Sequence, residues 1–235
     1  MRRSTLSVLS LVLAAGVLAA GGCAAGQAPG AAQETSALAI NPHFSVTSFV
    51  STNIRDADNQ FAVDATGYYA VTQSYLSSLS KVGEDGSVGA PLFSFAAYGQ
   101  SLGWIGQYYD VYPSAIAAPG DGRIYAAVNW YDATRKAWAH GAVISVQNNG
   151  SDPQVLHQFS GIDDGGRTIG ALTVVGQTIF GLTSEGSGTA YSVNTDGSGF
   201  ATLHTFGASG DGAGTEYGLL AWQSQYVLGV NASGA

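Results

Sequence analysis

The segment Leu203-His204-Thr205-Phe206 repeats Leu156-His157-Gln158-Phe159 after 47 residues, and this repeat decides the fold. A looser copy, Leu92-Phe93-Ser94-Phe95, comes earlier in the chain. A turn sequence precedes each copy, with its glycine nine residues before the final Phe: Glu84-Asp85-Gly86-Ser87, Asn148-Asn149-Gly150-Ser151 and Thr195-Asp196-Gly197-Ser198. Asp-Gly or Asn-Gly between apolar runs is a strong hairpin signal because these residues tolerate positive φ. The chain is therefore predicted to contain repeated β-hairpins.

Two further strands are predicted ahead of each hairpin. The first strand is predicted in four copies, at Phe61-Ala62-Val63, Ala115-Ile116-Ala117, Ala171-Leu172-Thr173 and Gly218-Leu219-Leu220. The second strand follows each of these, at Tyr68-Tyr69-Ala70-Val71, Ile124-Tyr125-Ala126-Ala127, Ile179-Phe180-Gly181-Leu182 and Val227-Leu228-Gly229-Val230. Each unit is thus a four-stranded meander, with strands a, b, c and d in chain order. Four strands in about 40 to 50 residues, repeated, are typical of a β-propeller blade. We expect an all-β, β-propeller-like fold; a β-sandwich with accidental similarity is the alternative.

The number of blades follows from the repeat. Complete units are predicted at about residues 60–95, 113–159 and 169–206, and a fourth begins at Tyr217 and stops after strand b. Residues 44–50 could supply a d-like strand ahead of the first unit. Two interpretations stay open, a four-bladed ring with one thin blade or a fragment of a larger propeller. The second is slightly favoured because the sequence stops where the repeat would continue.

The best-preserved part of the repeat resembles a known family. The segments Gln177-Thr178-Ile179-Phe180-Gly181-Leu182-Thr183, Thr189-Ala190-Tyr191-Ser192-Val193, Asp196-Gly197-Ser198-Gly199-Phe200 and Leu203-His204-Thr205-Phe206 are similar to the bacterial tandem repeats called GloVer. The resemblance implies an exported, propeller-like protein with no general activity attached to the repeat. Gly181-Leu182-Thr183 and Gly229-Val230-Asn231 stand where the family usually has Gly-Thr-Thr. The resemblance therefore bears on fold and location more than on function.

The N-terminal segment has the features of an export signal. Arg2 and Arg3 precede an apolar run over residues 6–20, which is short for a membrane span. The segment Ala20-Gly21-Gly22-Cys23 that follows resembles the lipobox of bacterial lipoproteins. We expect a lipoprotein signal peptide over residues 1–22, lipidation at Cys23, a flexible tether over 23–38 and the repeat domain over 39–235. The expected location is extracytoplasmic and membrane-anchored, either periplasmic or on the cell surface. Ordinary secretion with an incidental cysteine is the alternative.

The composition excludes some classes of function. Charged residues make up 10% of the chain, against roughly 25% in ordinary soluble domains. The net charge is -8, with 16 acidic and 8 basic residues, so nucleic acid is not an expected partner because an acidic body repels phosphate backbones. Cys23 is the sole cysteine, so no intramolecular disulfide can form.

Two insertions carry an unusual number of aromatic residues. They are predicted at residues 97–112, between strands d and a, and at 129–140, between strands b and c. In a propeller these two kinds of connection lie on the same face, so the insertions should be neighbours. The candidate ligand-binding residues are Trp104, Tyr108, Tyr109, Tyr112, Trp130, Tyr131, Trp138 and His140. Aromatic rings on loops above a rigid scaffold suit a glycan or an extended peptide; the alternative is that the insertions only pack on each other.

Catalytic and metal sites are weakly indicated. Asp164-Gly165 and Asp211-Gly212 follow strand d in register and could bind Ca²⁺, but turn-forming Asp residues in Gly-rich loops are commoner, so no metal or cofactor is predicted. No His-Glu-x-x-His or phosphate-binding glycine loop is present, and Gly99-Gln100-Ser101-Leu102-Gly103, which matches Gly-x-Ser-x-Gly, is not predicted to form a nucleophile elbow. His157 and His204 are equivalent by repeat and are predicted to be structural, which leaves His140 as the best acid–base candidate.

The function expected from the sequence is non-catalytic. We expect a lipid-anchored propeller that binds a glycan or peptide through its aromatic loop face. An envelope structural or assembly module whose partner is another protein is the alternative, and a propeller lyase or glycan hydrolase is the third hypothesis.

Overall fold

The computed structural model describes residues 61–74, 76–105, 111–132, 137–161, 164–208, 219–222 and 226–229. The chain divides into the units Met1–Ser45 and Val46–Ala235, and every described residue belongs to the second. The predicted signal peptide, Cys23, the tether and the strand at 44–50 lie outside the described residues. So do Tyr108, Tyr109 and Asp211.

Three four-stranded antiparallel sheets follow one another along the chain, each with its strands in sequential order. Blade 1 contains β1 (Phe61–Asp64), β2 (Gly67–Ser74), β3 (Leu76–Val82) and β4 (Val88–Ser94). Blade 2 contains β5 (Val111–Ala117), β6 (Arg123–Asp132), β7 (Ala137–Gln147) and β8 (Gln154–Gln158). Blade 3 contains β9 (Thr168–Val175), β10 (Thr178–Thr183), β11 (Thr189–Asn194) and β12 (Ala201–Thr205). A two-stranded sheet follows, formed by β13 (Leu219–Trp222) and β14 (Tyr226–Gly229).

This arrangement confirms the predicted propeller-like fold. The three complete meanders and the a–b pair of a fourth lie where the repeat placed them. The first strands of successive sheets are in contact, β1 with β5, β5 with β9 and β9 with β13. The blades therefore fan out from their first strands, as the blades of a propeller do.

The turn between strands c and d has the same hydrogen bonds in all three blades. Gly86, Gly150 and Gly197 have φ values of 81°, 89° and 84°, where a side chain would be strained. Each glycine N–H donates to the carbonyl oxygen three residues earlier, at 2.8 to 2.9 Å. A side-chain oxygen of the preceding Asp or Asn accepts from the backbone N–H of the serine that follows. The Asp/Asn-Gly-Ser repeat thus encodes a type I turn with a glycine bulge.

These turns also set the packing of one blade on the next. A Cβ on Gly150 would overlap the carbonyl oxygen of Leu92, in strand d of blade 1. A Cβ on Gly197 would lie 3.2 Å from the carbonyl oxygen of Leu156, the equivalent residue of blade 2. Because the same turn meets the same strand position twice, the two blade junctions share one geometry.

The apolar cores lie between the blades. One cluster joins blades 1 and 2, and its large fully buried members include Tyr69, Leu79, Ile124 and Ile144. A second cluster joins blades 2 and 3, and its large fully buried members include Tyr125, Phe159, Ile179 and Tyr191. The stability of each blade therefore depends on its neighbour.

The segment after β4 contains the single helix of the described residues, α1 (Phe95–Ser101). Ser94 caps it, since its hydroxyl accepts a hydrogen bond from the Ala97 N–H at 3.2 Å. Throughout the part of the chain that the structure describes, no helix is long and apolar enough to span a membrane.

Candidate functional site

The connections between strands b and c and between strands d and a lie at one edge of the blades. Strands b and d run in the same direction within each antiparallel meander, so both end at the same edge. We call this edge the insertion face. Both predicted insertions belong to it, one after β4 and one between β6 and β7.

The insertion predicted at residues 129–140 is mostly strand. β6 and β7 have 10 and 11 residues, whereas β10 and β11 of blade 3 have 6 each. Trp130 pairs with His140 across the extended hairpin, and the connection itself is confined to residues 133–136. Tyr131 also lies in β6, and Trp138 lies in β7. The sequence therefore located the insertion correctly, but strand pairing continues through most of it, with one shift of register between Trp130 and Asp132. The side chains of Trp138 and His140 lie outside the described residues.

The insertion predicted at residues 97–112 begins as α1 and ends in β5, which contains Tyr112. Trp104 follows the C-cap of the helix, Leu102. Its N–H donates to the carbonyl oxygen of Gly99 at 2.9 Å, which holds the chain close to the end of the helix. This local bond places the Trp104 indole beside blade 2.

The two insertions meet through a pair of tryptophans. The rings of Trp104 and Trp130 are stacked, with centroids 4.3 Å apart and planes 3° from parallel. The indole Nε1 of Trp104 donates to Oε1 of Gln158 at 3.0 Å, which fixes the ring against β8. The prediction that the two insertions are neighbours is confirmed.

The members of this aromatic cluster differ in exposure. Trp130 is 4% exposed and belongs to the core between blades 1 and 2. Trp104, Tyr112 and Tyr131 are half-buried. Of the stacked pair, Trp104 therefore offers the ring surface that a ligand could reach, while Trp130 supports it from below. Tyr112 pairs with Asn129, whose side chain bonds to Thr168 of blade 3, so Tyr112 lies on the other face of the blade 2 sheet, and Tyr131 alternates to that face after Trp130.

Tyr98 is a member of the cluster that the sequence did not indicate. Its ring meets that of Trp104 edge-on, with centroids 6.3 Å apart, and packs against Phe93 at 5.6 Å. Burial raises the pKa of the Tyr98 hydroxyl, and the negative charge of Asp152 raises it further. Tyr98 stands within the predicted insertion, but only the helical geometry of α1 turns it toward Trp104.

Asp164, the residue considered as a possible Ca²⁺ ligand and set aside in favour of a turn role, is occupied by hydrogen bonds. Its Oδ1 accepts from the backbone N–H of Ser160 at 2.9 Å and from the Ser160 hydroxyl, and its Oδ2 lies 3.0 Å from Nε2 of His157. Burial raises the pKa of Asp164, but the Ser160 and His157 hydrogen bonds outweigh it, so the net pKa is lowered. Among the described residues, no group of three or more His, Cys, Asp and Glu side chains could hold a metal ion.

His157 and His204 lie on strand d of their blades, as predicted. The His157 ring stacks on Phe200 of blade 3, with centroids 3.5 Å apart and planes 4° from parallel. Burial lowers the pKa of His157, and the hydrogen bond and charge of Asp164 partly oppose that shift. His157 therefore joins blades 2 and 3, which supports the structural role expected for it.

A pocket lies at the insertion face between blades 2 and 3. Its volume is about 460 Å³, and it is lined by Gly161, Gly165, Glu185, Gly186, Ser187, Thr189 and Thr205. The sequence did not predict this site. The available signal was the glycine-rich segment Asp163-Asp164-Gly165-Gly166 and the short connection Ser184-Glu185-Gly186-Ser187.

Comparison with known proteins gives a structural likeness but no family. No family model matches the chain, and no curated protein matches it. The chain is similar to a solved structure described as "Crystal structure of Nidogen/Laminin Complex", with 15% sequence identity and a TM-score of 0.43. The likeness covers 68% of this chain, and the chain spans 50% of the length of that protein.

Proposed function

We propose that this protein is a non-catalytic binding module whose ligand docks on the insertion face beside blade 2. The stack of Trp104 on Trp130 carries the proposal, because it joins two separate insertions into one fixed surface. A ring that is already held by a neighbour and by Gln158 loses little freedom when a ligand packs on it. The half-buried rings of Tyr112 and Tyr131 lie on the other face of the blade 2 sheet, so they would meet a ligand that extends across the edge of the sheet.

The chemistry of the surface favours a glycan or a peptide as the ligand. Aromatic rings offer apolar faces to sugar rings and to extended peptides, and the tyrosine hydroxyls add hydrogen bonds. We assign the direct contact to Trp104 and a supporting role to Trp130, whose ring is buried, and Tyr131 remains a proposed contact beside them in sequence. Tyr108, Tyr109, Trp138 and His140 remain proposed contacts on the same insertions.

We further propose that a lipid anchor holds the binding face outside the cytoplasm. Cys23 would carry the lipid, and residues 24–38 would form the tether. The basis is the lipobox-like sequence Ala20-Gly21-Gly22-Cys23 and the likeness to GloVer repeats. Labelling with a radioactive fatty acid tests the anchor: incorporation by the wild type that is lost in Cys23→Ser is the expected result, and an unlabelled wild type contradicts it.

A screen of glycan and peptide arrays, followed by calorimetry on each hit, tests the binding function. Trp104→Ala should weaken binding at least about tenfold, because the half-buried indole forms the contact. Phe61→Ala is the matched control, since Phe61 is an exposed aromatic residue on blade 1, outside both insertions. A ligand whose affinity is equal in the wild type and Trp104→Ala would contradict the assignment.

The competing function is that of an envelope assembly module whose partner is another protein. A cross-linking experiment on the same protein distinguishes this function from glycan or peptide binding. Cross-linking in the host envelope, followed by mass spectrometry, would identify a protein partner. A partner captured through the aromatic insertions, with no array hit for glycan or peptide, would replace ligand binding by protein assembly.

A further inference from the structure

The two junctions between complete blades are built from the same connections but are filled differently. At the junction of blades 1 and 2, Trp104 and Trp130 stack and close the space. At the junction of blades 2 and 3, the equivalent d–a connection contains Gly161, Gly165 and Gly166. The b–c connection of blade 3 is only residues 184–188, between β10 and β11. The short, glycine-rich connections of this second junction leave a pocket at the insertion face.

The pocket is lined by glycines, by residues with hydroxyl groups and by one carboxylate residue. Gly161, Gly165 and Gly186 contribute backbone only, and Ser187, Thr189 and Thr205 contribute hydroxyl groups. The Thr189 hydroxyl lies 2.7 Å from the hydroxyl of Thr183 and is engaged there. The hydroxyl groups of Ser187 and Thr205 have no hydrogen bond within the described residues, so they can donate to and accept from a ligand.

Glu185 supplies the only charge on the described pocket wall. Its Oε2 is buried and has no hydrogen-bond partner among the described residues. A buried carboxylate oxygen without a donor is costly, and although a ligand cannot touch Oε2 itself, a positive charge in the pocket beside Glu185 would offset part of this cost. Gly166 makes this placement possible, because a Cβ there would overlap Oε2.

We propose that this pocket binds a small ligand that carries a protonated amine next to hydroxyl groups, such as an amino sugar. The ammonium would pair with Glu185, and the hydroxyls would bond to Ser187 and Thr205. A charge-assisted hydrogen bond is stronger than a neutral one, which favours the amine over an uncharged polyol. The net charge of -8 also attracts cations to the surface. A divalent cation is a poorer fit because Glu185 is the single carboxylate on the described wall.

Glucosamine and glucose form a matched pair for the test, because they differ only in the amine. Titration of the full chain by NMR or calorimetry should show glucosamine binding at least about tenfold more tightly than glucose. Equal affinities, or no binding of glucosamine, would overturn the proposal. This comparison uses the wild-type protein alone and does not depend on any variant folding.

Two variants then locate the site. Glu185→Gln should reduce glucosamine binding to the level of glucose, whereas Glu84→Gln, which removes an exposed carboxylate from the opposite edge of blade 1, should leave it unchanged. Neither variant should unfold at a markedly lower temperature than the wild type, because Glu185→Gln removes an unpaired charge and Glu84 is exposed. Unchanged glucosamine binding in Glu185→Gln would overturn the assignment of the amine to this carboxylate. The proposal does not depend on ligand binding at Trp104, so either site can fail independently.

Discussion

The imidazole of His157 lies flat on the phenyl ring of Phe200, with ring centroids 3.5 Å apart, although the two residues belong to different blades. The same histidine bonds to Asp164 in the connection to blade 3. The junction of blades 2 and 3 therefore contains a titratable group that is partly removed from solvent. Its protonation should be coupled to the stability of the junction.

The first prediction concerns this pH dependence. Burial lowers the pKa of His157 in the folded state below 6.5, so the unfolded chain binds the proton more readily. The contribution of neutral His157 to the free energy of unfolding is therefore complete above pH 6.5, and it is lost as the pH falls from 6.5 through the lowered pKa of the folded state. His157→Phe, which introduces the residue found at the equivalent position 93, should flatten the stability profile in this window. Urea unfolding on both sides of pH 6.5 measures the effect.

His204→Phe is the control for this prediction, because His204 is the repeat equivalent and is exposed. The pH profile of His204→Phe should follow that of the wild type. A His157→Phe profile as steep as that of the wild type would show that other groups cause the dependence.

The second prediction compares two leucines at the same repeat position. Leu156 is 7% exposed and lies beneath the turn of blade 3, whereas Leu203 is 52% exposed on β12. Leu156→Ala should lower the free energy of unfolding by about 2–5 kcal/mol. Leu203→Ala should change it by about 0.5 kcal/mol or less. Chemical denaturation of both variants gives the comparison, and equal losses would mean that Leu203 is covered in solution.

The sequence predicted the blades well because their determinants are local. The turns at Gly86, Gly150 and Gly197 need only a glycine with positive φ and a short polar side chain before it, and both can be recognised in the sequence. The neighbouring positions of the two insertions followed from the direction of strands in a meander, which needs no knowledge of side-chain packing.

The features that escaped prediction depend on contacts between blades. The stacking of Trp104 on Trp130 brings together two connections that are distant in the sequence, so no local pattern indicates it. The pocket at Glu185 exists because short connections leave open a space at the junction of blades 2 and 3. Helix α1 was missed because a short helix after a strand depends on one cap, Ser94.

The third prediction tests the packing of a turn on the preceding blade. Gly150 and Gly176 both have positive φ, 89° and 58°, so alanine is strained at either position by about 1–2 kcal/mol. A Cβ at Gly176 meets nothing within 4 Å, whereas one at Gly150 overlaps the carbonyl oxygen of Leu92. Gly150→Ala should therefore destabilise the fold by about 3 kcal/mol or more and Gly176→Ala by much less. Similar melting temperatures for the two variants would contradict the close packing of this turn on blade 1.

The fourth prediction concerns a buried hydroxyl that lacks a partner. The Tyr191 hydroxyl is buried, and it has no hydrogen-bond partner among the described residues; its burial raises the pKa of the phenol. Removing an unsatisfied group costs nothing in hydrogen bonding, so Tyr191→Phe should leave the free energy of unfolding unchanged or raise it by about 1 kcal/mol.

Tyr125→Phe is the matched change, because Tyr125 is a buried tyrosine of the same apolar cluster. The Tyr125 hydroxyl donates to Oδ2 of Asp121 at 2.6 Å, and its loss should cost about 1–2 kcal/mol because the acceptor is charged. The two substitutions delete the same atom from one cluster, so opposite signs in urea unfolding would isolate the hydrogen bond from the packing. A Tyr191→Phe variant as destabilised as Tyr125→Phe would place a bound water or another acceptor beside the Tyr191 hydroxyl.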